Sequence, residues 1–203
     1  MRLSLFRNRS AESRQSRRVP ITRPDQWCRL ISVDPRSLDT FITRFGRVKA
    51  GTIQPGEWDL KSGDLRQHPK IVACLAHWVD GLSWRETGII DQMREWAAER
   101  HGGIDGCRTE AEIVARSEKL DGIFEEVKRE GRLRTSFELG RSASPHRERH
   151  GVMVHFGRDG APIFGASGFH RLGMALSLGF ERIPGCLGVV HAEAPAEVID
   201  LVR

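Results

Sequence analysis

Residues 151–190 read GVMVHFGRDGAPIFGASGFHRLGMALSLGFERIPGCLGVV. GVMVHF alternates as a strand does, and Asp159-Gly160 in GRDG is a hairpin turn signal, so APIF returns as a second strand. GAS is a tight loop. A helix from Gly168 to Leu178 follows, with Ser167 as its N-cap and Gly179 as its left-handed stop. GFERIP connects it to GCLGVV, a closing strand that runs to His191, and residues 194–202 add a further helix.

His170 and Arg171 fall in the first turn of that helix. The positive end of the dipole lies there, and a cation costs roughly 0.3–1 kcal/mol in that place. A bound anion would cancel the cost. The helix start offers unpaired N–H groups, Gly168 lets a phosphate approach the backbone, His170 donates hydrogen bonds, and Arg171 presents a planar fork. The alternative is structural: Arg171 pairs with a nearby acid, and His170 packs partly buried with one nitrogen satisfied.

The stretch resembles the core of the ParB/sulfiredoxin-like superfamily. Gly168, His170 and Arg171 match its Gly-x-(His or Arg)-Arg helix start, followed by Ala175, Gly179, Ile183-Pro184 and the closing Val189-Val190. The match covers residues 151–191. Upstream, GTIQPGEWD and GLSWRET are similar to segments of uncharacterised bacterial, archaeal and phage proteins bearing this domain. The resemblance implies that Ser167, Gly168, His170 and Arg171 hold the phosphates of a nucleoside triphosphate with Mg²⁺, CTP as in ParB proteins or ATP as in sulfiredoxins. Phe169 stands where sulfiredoxins carry their catalytic cysteine, which excludes that chemistry. The dozen residues after the core leave no room for a helix-turn-helix, so a chromosome-partitioning clamp is not expected.

Working outward, CRLISV is a strand over 28–33, DPRSLDTFI a turn and short helix, and RVKAGTIQPGEWDL a strand and loop. From 64 to 131 three helices are expected. The first carries the stripe Ile71, Val72, Leu75, Trp78 and Val79 and ends at Gly81. The second starts at the capping-box pair Ser83 and Glu86 and carries Ile89, Ile90, Met93, Trp96 and Ala97. The third starts at Thr109 and Glu112, carries Ile113, Leu120, Ile123, Phe124 and Val127, and ends at Gly131. SASPHRERH is a polar linker. The expected class is α+β: a small mixed sheet with a ParB/sulfiredoxin-like core over 145–203, preceded by a strand, loop and three-helix segment over 24–144 and a basic tail over 1–23.

The tail holds seven arginines against one acid, Glu12, a balance of +6, while the whole chain is at +5. Such a tail is expected to be disordered and suits nucleic acid or another anionic surface, or simply solvent; its composition also resembles a transit peptide. With 39% hydrophobic and 29% charged residues the chain is expected to be soluble and globular. No apolar run nears the ~20 residues of a membrane span, and MRLSLF is too short for a secretory signal. Cys28, Cys74, Cys107 and Cys186 are scattered, which reads as reduced thiols in a cytoplasmic protein.

Glu57 and Asp59 in GEWD are the candidate catalytic carboxylates, with Trp58 orienting the loop; the alternative is a turn around a buried tryptophan. His146, His150 and His155, with Glu148, have a metal-like spacing, but Gly151 breaks the helix they would need, so no metal site is assigned. Two functions follow. One is a ParB-like nucleotide- or phosphate-binding module, regulatory or associated with nucleic acid. The other is a nucleotide-dependent enzyme catalysing NTP hydrolysis or phosphoryl transfer. A nuclease ranks third, because no dense carboxylate set is visible.

Overall fold

The computed structural model describes residues 29–42, 50–148 and 151–203. The arginine-rich tail, Cys28 and His150 lie outside them. The described chain is α+β, with a seven-stranded mixed sheet and five α-helices. The strands are β1 (Leu30–Val33), β2 (Thr40–Phe41), β3 (Thr52–Gln54), β4 (Gly63–Asp64), β5 (Val152–Phe156), β6 (Pro162–Phe164) and β7 (Ile183–His191). The helices are α1 (Pro69–Trp78), α2 (Ile89–Ala98), α3 (Glu110–Glu130), α4 (Phe169–Ser177) and α5 (Ala196–Ile199).

The sheet order is β1-β7-β5-β6-β2-β4, with β3 also on β7. β5 and β6 form the expected antiparallel hairpin, and β7 returns parallel to β5 after α4. Residues 24–144 and 145–203 interleave in this one sheet: β1 and β3 pair with β7, and β2 pairs with β6. The short helix expected in DPRSLDTFI is a single 3-10 turn, Pro35–Ser37, capped by Asp34; the two-residue strands β2 and β4 that follow were not expected. So short a strand has too few residues to show a period.

The core lies between the sheet and the helices. Val152, Val154 and Phe164 are fully buried there with Leu172 and Ala175 of α4 and Cys74 of α1. α1 and α4 approach closely because Gly173 has no side chain: a Cβ there would sit 2.6 Å from the Cβ of Cys74. The α1 stripe is rotated from its expected face. Ile71, Ala73 and Cys74 are buried, whereas Val72 and Val79 are exposed. Lys70 shares the buried face.

The caps explain the helix bounds. Thr109 and Glu112 close a capping box on α3, and Gly131 ends it at φ 67°. Ser83 and Glu86 also bond reciprocally, but they cap a turn, and α2 begins only after Gly88 at φ 75°. Cys74 and Cys107 are buried and form no disulfide, and Cys186 is buried in β7. Among the described residues no helix is long and apolar enough to cross a membrane.

Candidate functional site

The hairpin delivers the chain from Phe164 through Gly165, Ala166, Ser167 and Gly168 into α4. Ala166 (φ 52°) and Gly168 (φ 88°) are both left-handed. Gly168, not Ser167, occupies the cap position, and no side chain caps the helix. Ser167 instead donates its hydroxyl to Gly151 O at 3.3 Å. A Cβ at Gly168 would meet Gly151 O at 2.7 Å, so the loop can pass over the start of β5 only as glycine. The first turn of α4 therefore opens uncapped.

It opens into a cleft of about 990 Å³ bordered by Ser167, Gly168, Phe169, His170 and Arg171, with walls from α1, α3, the segment after α3 and the 100–105 turn. The two cations that α4 carries at its positive end are both neutralised by the fold. Burial pushes His170 down to about 4, with Lys70 acting in the same direction, so its ring is neutral at pH 7. Arg171 is largely buried. Its Nη2 donates to Arg134 O at 2.7 Å and lies 3.6 Å from the fully buried Glu148. Glu148 in turn accepts from the Ser136 N–H at 2.8 Å. The guanidinium expected to grip a phosphate thus ties the 132–148 segment to α4, the structural alternative for this residue.

The positive charge of the cleft comes from elsewhere. Three acids border it, and all are paired: Asp105 with Lys70 at 2.6 Å, Glu126 and Glu130 with Arg134 at 2.6 Å each. Arg100, Arg116, Lys119 and Arg141 also border it, and their side chains make no hydrogen bond or ion pair among the described residues. The Nε of Arg116 is buried without a hydrogen-bond partner. Four cations without acids, beside an uncapped helix N-terminus, make a place for an anion.

Aromatic rings hold this end of the cleft rigid. His68 stacks on Phe169 at 4.0 Å between centroids, and Phe169 meets Phe164 edge-on at 4.7 Å. Lys70, almost fully buried, lies 5.5 Å above Phe169 and 6.0 Å from Trp96. Burial holds His68 at about 4 as well.

Glu57 and Asp59 are not brought to this cleft. Asp59 is held by Arg158, whose Nε and Nη2 donate to its two oxygens at 2.9 Å each and whose backbone N–H donates at 3.0 Å. That guanidinium keeps the Asp59 carboxyl far below the usual carboxylate range. His191, fully buried, donates from Nε2 to Gly56 O at 2.6 Å and accepts the Glu193 N–H on Nδ1 at 3.0 Å. Trp58 lies between His155 and His191. Glu57 is exposed. GEWD is therefore a pinned turn around a half-buried tryptophan. His155 accepts the Val189 N–H within the sheet, and no group of three or more His, Cys, Asp or Glu able to hold a metal occurs among the described residues.

Lys70, Asp105 and Arg116 were not expected at the site. Lys70 had a signal: it stands four residues before Cys74 and so shares its helical face, an odd place for a lysine. Asp105 and Arg116 had none, since a turn aspartate and a helix arginine are commonplace. Compared with protein-family models, with curated proteins and with solved structures, the chain matches none.

Proposed function

We propose that the chain is a nucleotide- or phosphate-binding module of the ParB-like kind, with the phosphates at the first turn of α4. The supporting observation is the charge imbalance of the cleft onto which the uncapped α4 start opens: its acids are all paired, and four of the cations that border it are not paired among the described residues. The first-turn N–H groups and the side chains of Arg100, Arg116 and Lys119 fit phosphate oxygens, and their charge suits a polyanion better than a neutral ligand. Arg171 serves by fixing the wall rather than by contact. CTP and ATP with Mg²⁺ are the candidate ligands. The arginine tail would add a sequence-independent grip on nucleic acid, so removing residues 1–23 would weaken that binding and flatten its salt dependence.

Calorimetric titration with CTP, ATP, ADP and GTP, with and without Mg²⁺, tests the reading on wild type and Arg116→Ala. Saturable binding that the variant weakens supports it. No binding by any nucleotide removes it.

NTP hydrolysis or phosphoryl transfer is a second reading, and it moves from Glu57 and Asp59 to Asp105. This carboxylate borders the cleft beside His170, oriented by Lys70. It would take the proton of the attacking hydroxyl. Asp105→Asn should then stop turnover while binding persists; unchanged turnover removes Asp105 from the reaction.

A further inference from the structure

Lys70 and Asp105 meet at 2.6 Å where the 100–105 turn reaches the start of α1, and both border the cleft. The lysine side chain is only 6% exposed. Phe169 and Trp96 flank its amine, and Asp105 is its one ion-pair partner among the described residues. The turn does not need this carboxylate: Ile104 and Cys107 close it with two backbone hydrogen bonds, at 2.9 and 2.8 Å. Nor does stability explain the pair, because a buried ion pair is often no better than packed apolar side chains. Lys70 also stands in the first turn of α1, the positive end of that dipole. His170 stands beside Asp105, neutral and with no hydrogen bond among the described residues. A nearly desolvated amine, its own carboxylate and a neutral imidazole on one cavity wall form a set suited to carbonyl chemistry.

Going beyond the phosphate reading, we infer that Lys70 is a nucleophile that condenses with a small aldehyde or ketone carrying an anionic group, a carboxylate or a phosphate. Arg116, whose charge is felt at both Asp105 and His170, is placed for that group. Asp105 takes a proton from the ammonium, and the freed lone pair forms the C–N bond while the carbonyl π pair moves to oxygen. Asp105 returns that proton to the oxygen and then transfers a second one from nitrogen. The C–O bond breaks and water leaves, with His170 donating to the departing oxygen. Ammonium plus carbonyl thus gives protonated imine plus water, with no net proton and no oxidant. The imine keeps its positive charge opposite Asp105.

The full chain would be treated with a limiting amount of one aldehyde, reduced with cyanoborohydride and mapped by peptide mass. Each anionic aldehyde is set against its neutral counterpart: pyridoxal phosphate against pyridoxal, and succinic semialdehyde against butanal. The expected result is a trapped adduct on Lys70 ahead of the exposed Lys61, Lys119 and Lys128, formed faster with the anionic member of a pair. The pair with the larger ratio identifies the anionic group. Arg116→Ala should remove that advantage and leave the neutral aldehydes unchanged. Asp105→Asn should slow trapping about a hundredfold. Lys70→Arg, which keeps a cation opposite Asp105, should abolish the adduct. Adducts spread over the exposed lysines without enrichment at Lys70, equal rates within both pairs, or trapping unmoved by Asp105→Asn overturn the inference. The wild-type map decides it even if a variant fails to fold. Nucleotide titration tests the phosphate reading separately, so either can fail alone.

Discussion

The Asp59 corner and the α4 cleft each gather charged and aromatic side chains, yet they differ in what is left over. At the corner the accounts close. Arg158 meets both oxygens of Asp59, and both nitrogens of His191 are engaged. At the cleft they do not: four cations border it without an acid, and the helix that opens into it has no cap. A polar cluster that satisfies itself is holding the chain together, and one that does not has room for a ligand.

The largest test of this contrast is acid. His155 is buried in the sheet and held at about 4, against an ordinary value of 6.5. The unfolded chain therefore binds more protons than the folded one between those values, so stability is full above about pH 6.5 and falls as the pH drops toward 4. His155 accounts for about 3 kcal/mol of that loss, and His68 and His170 add in the same direction. Denaturant midpoints measured at pH 7, 6, 5 and 4 would show it; a flat series contradicts a buried neutral His155 and half-buried neutral His68 and His170.

Next is Gly168→Ala. A left-handed φ and a backbone clash together should cost about 3 kcal/mol or more and close the α4 entrance. Urea melts would report it, and a silent alanine would mean the loop is soft. Asp59→Asn should be smaller, about 1–3 kcal/mol of stability, because Arg158 loses its ionic partner. Its nucleotide affinity should stay at the wild-type value, and a lost affinity would make the corner part of the site. Smallest in stability is Lys119→Ala, within about 0.5 kcal/mol in a melt, since the side chain has no hydrogen-bond or ion-pair partner among the described residues. The same variant should lower nucleotide affinity, and that split between fold and binding is the sharpest form of the comparison.

Much of the frame was readable because its signals are local. The Asp159-Gly160 hairpin, the Thr109–Glu112 box and the stops at Gly131 and Gly179 all appear where the residues implied. Val72 and Val79 misled because α1 packs by the close approach at Gly173, which turns Cys74 inward. At the site, Ser167, Gly168, His170 and Arg171 do border the cleft, but His170 is neutral and Arg171 is tied to the wall. Charge placement in a sequence shows which cations stand at a helix start, not which acids fold against them.

Local chemistry settled the strand–turn–strand–loop–helix–strand order, the helix stops and the anion-favouring start of α4, because turns, caps and dipoles depend on residues within a few positions of one another. Pairings across the chain were decided only on folding. Arg158 finds Asp59, 99 positions away, Arg171 finds Glu148, and Lys70 finds Asp105, 35 positions away. Those pairings determine which charges are spent on the fold and which remain for a ligand. They arise from the packing of α1, α3 and α4 over one sheet, and no short-range pattern carries that information.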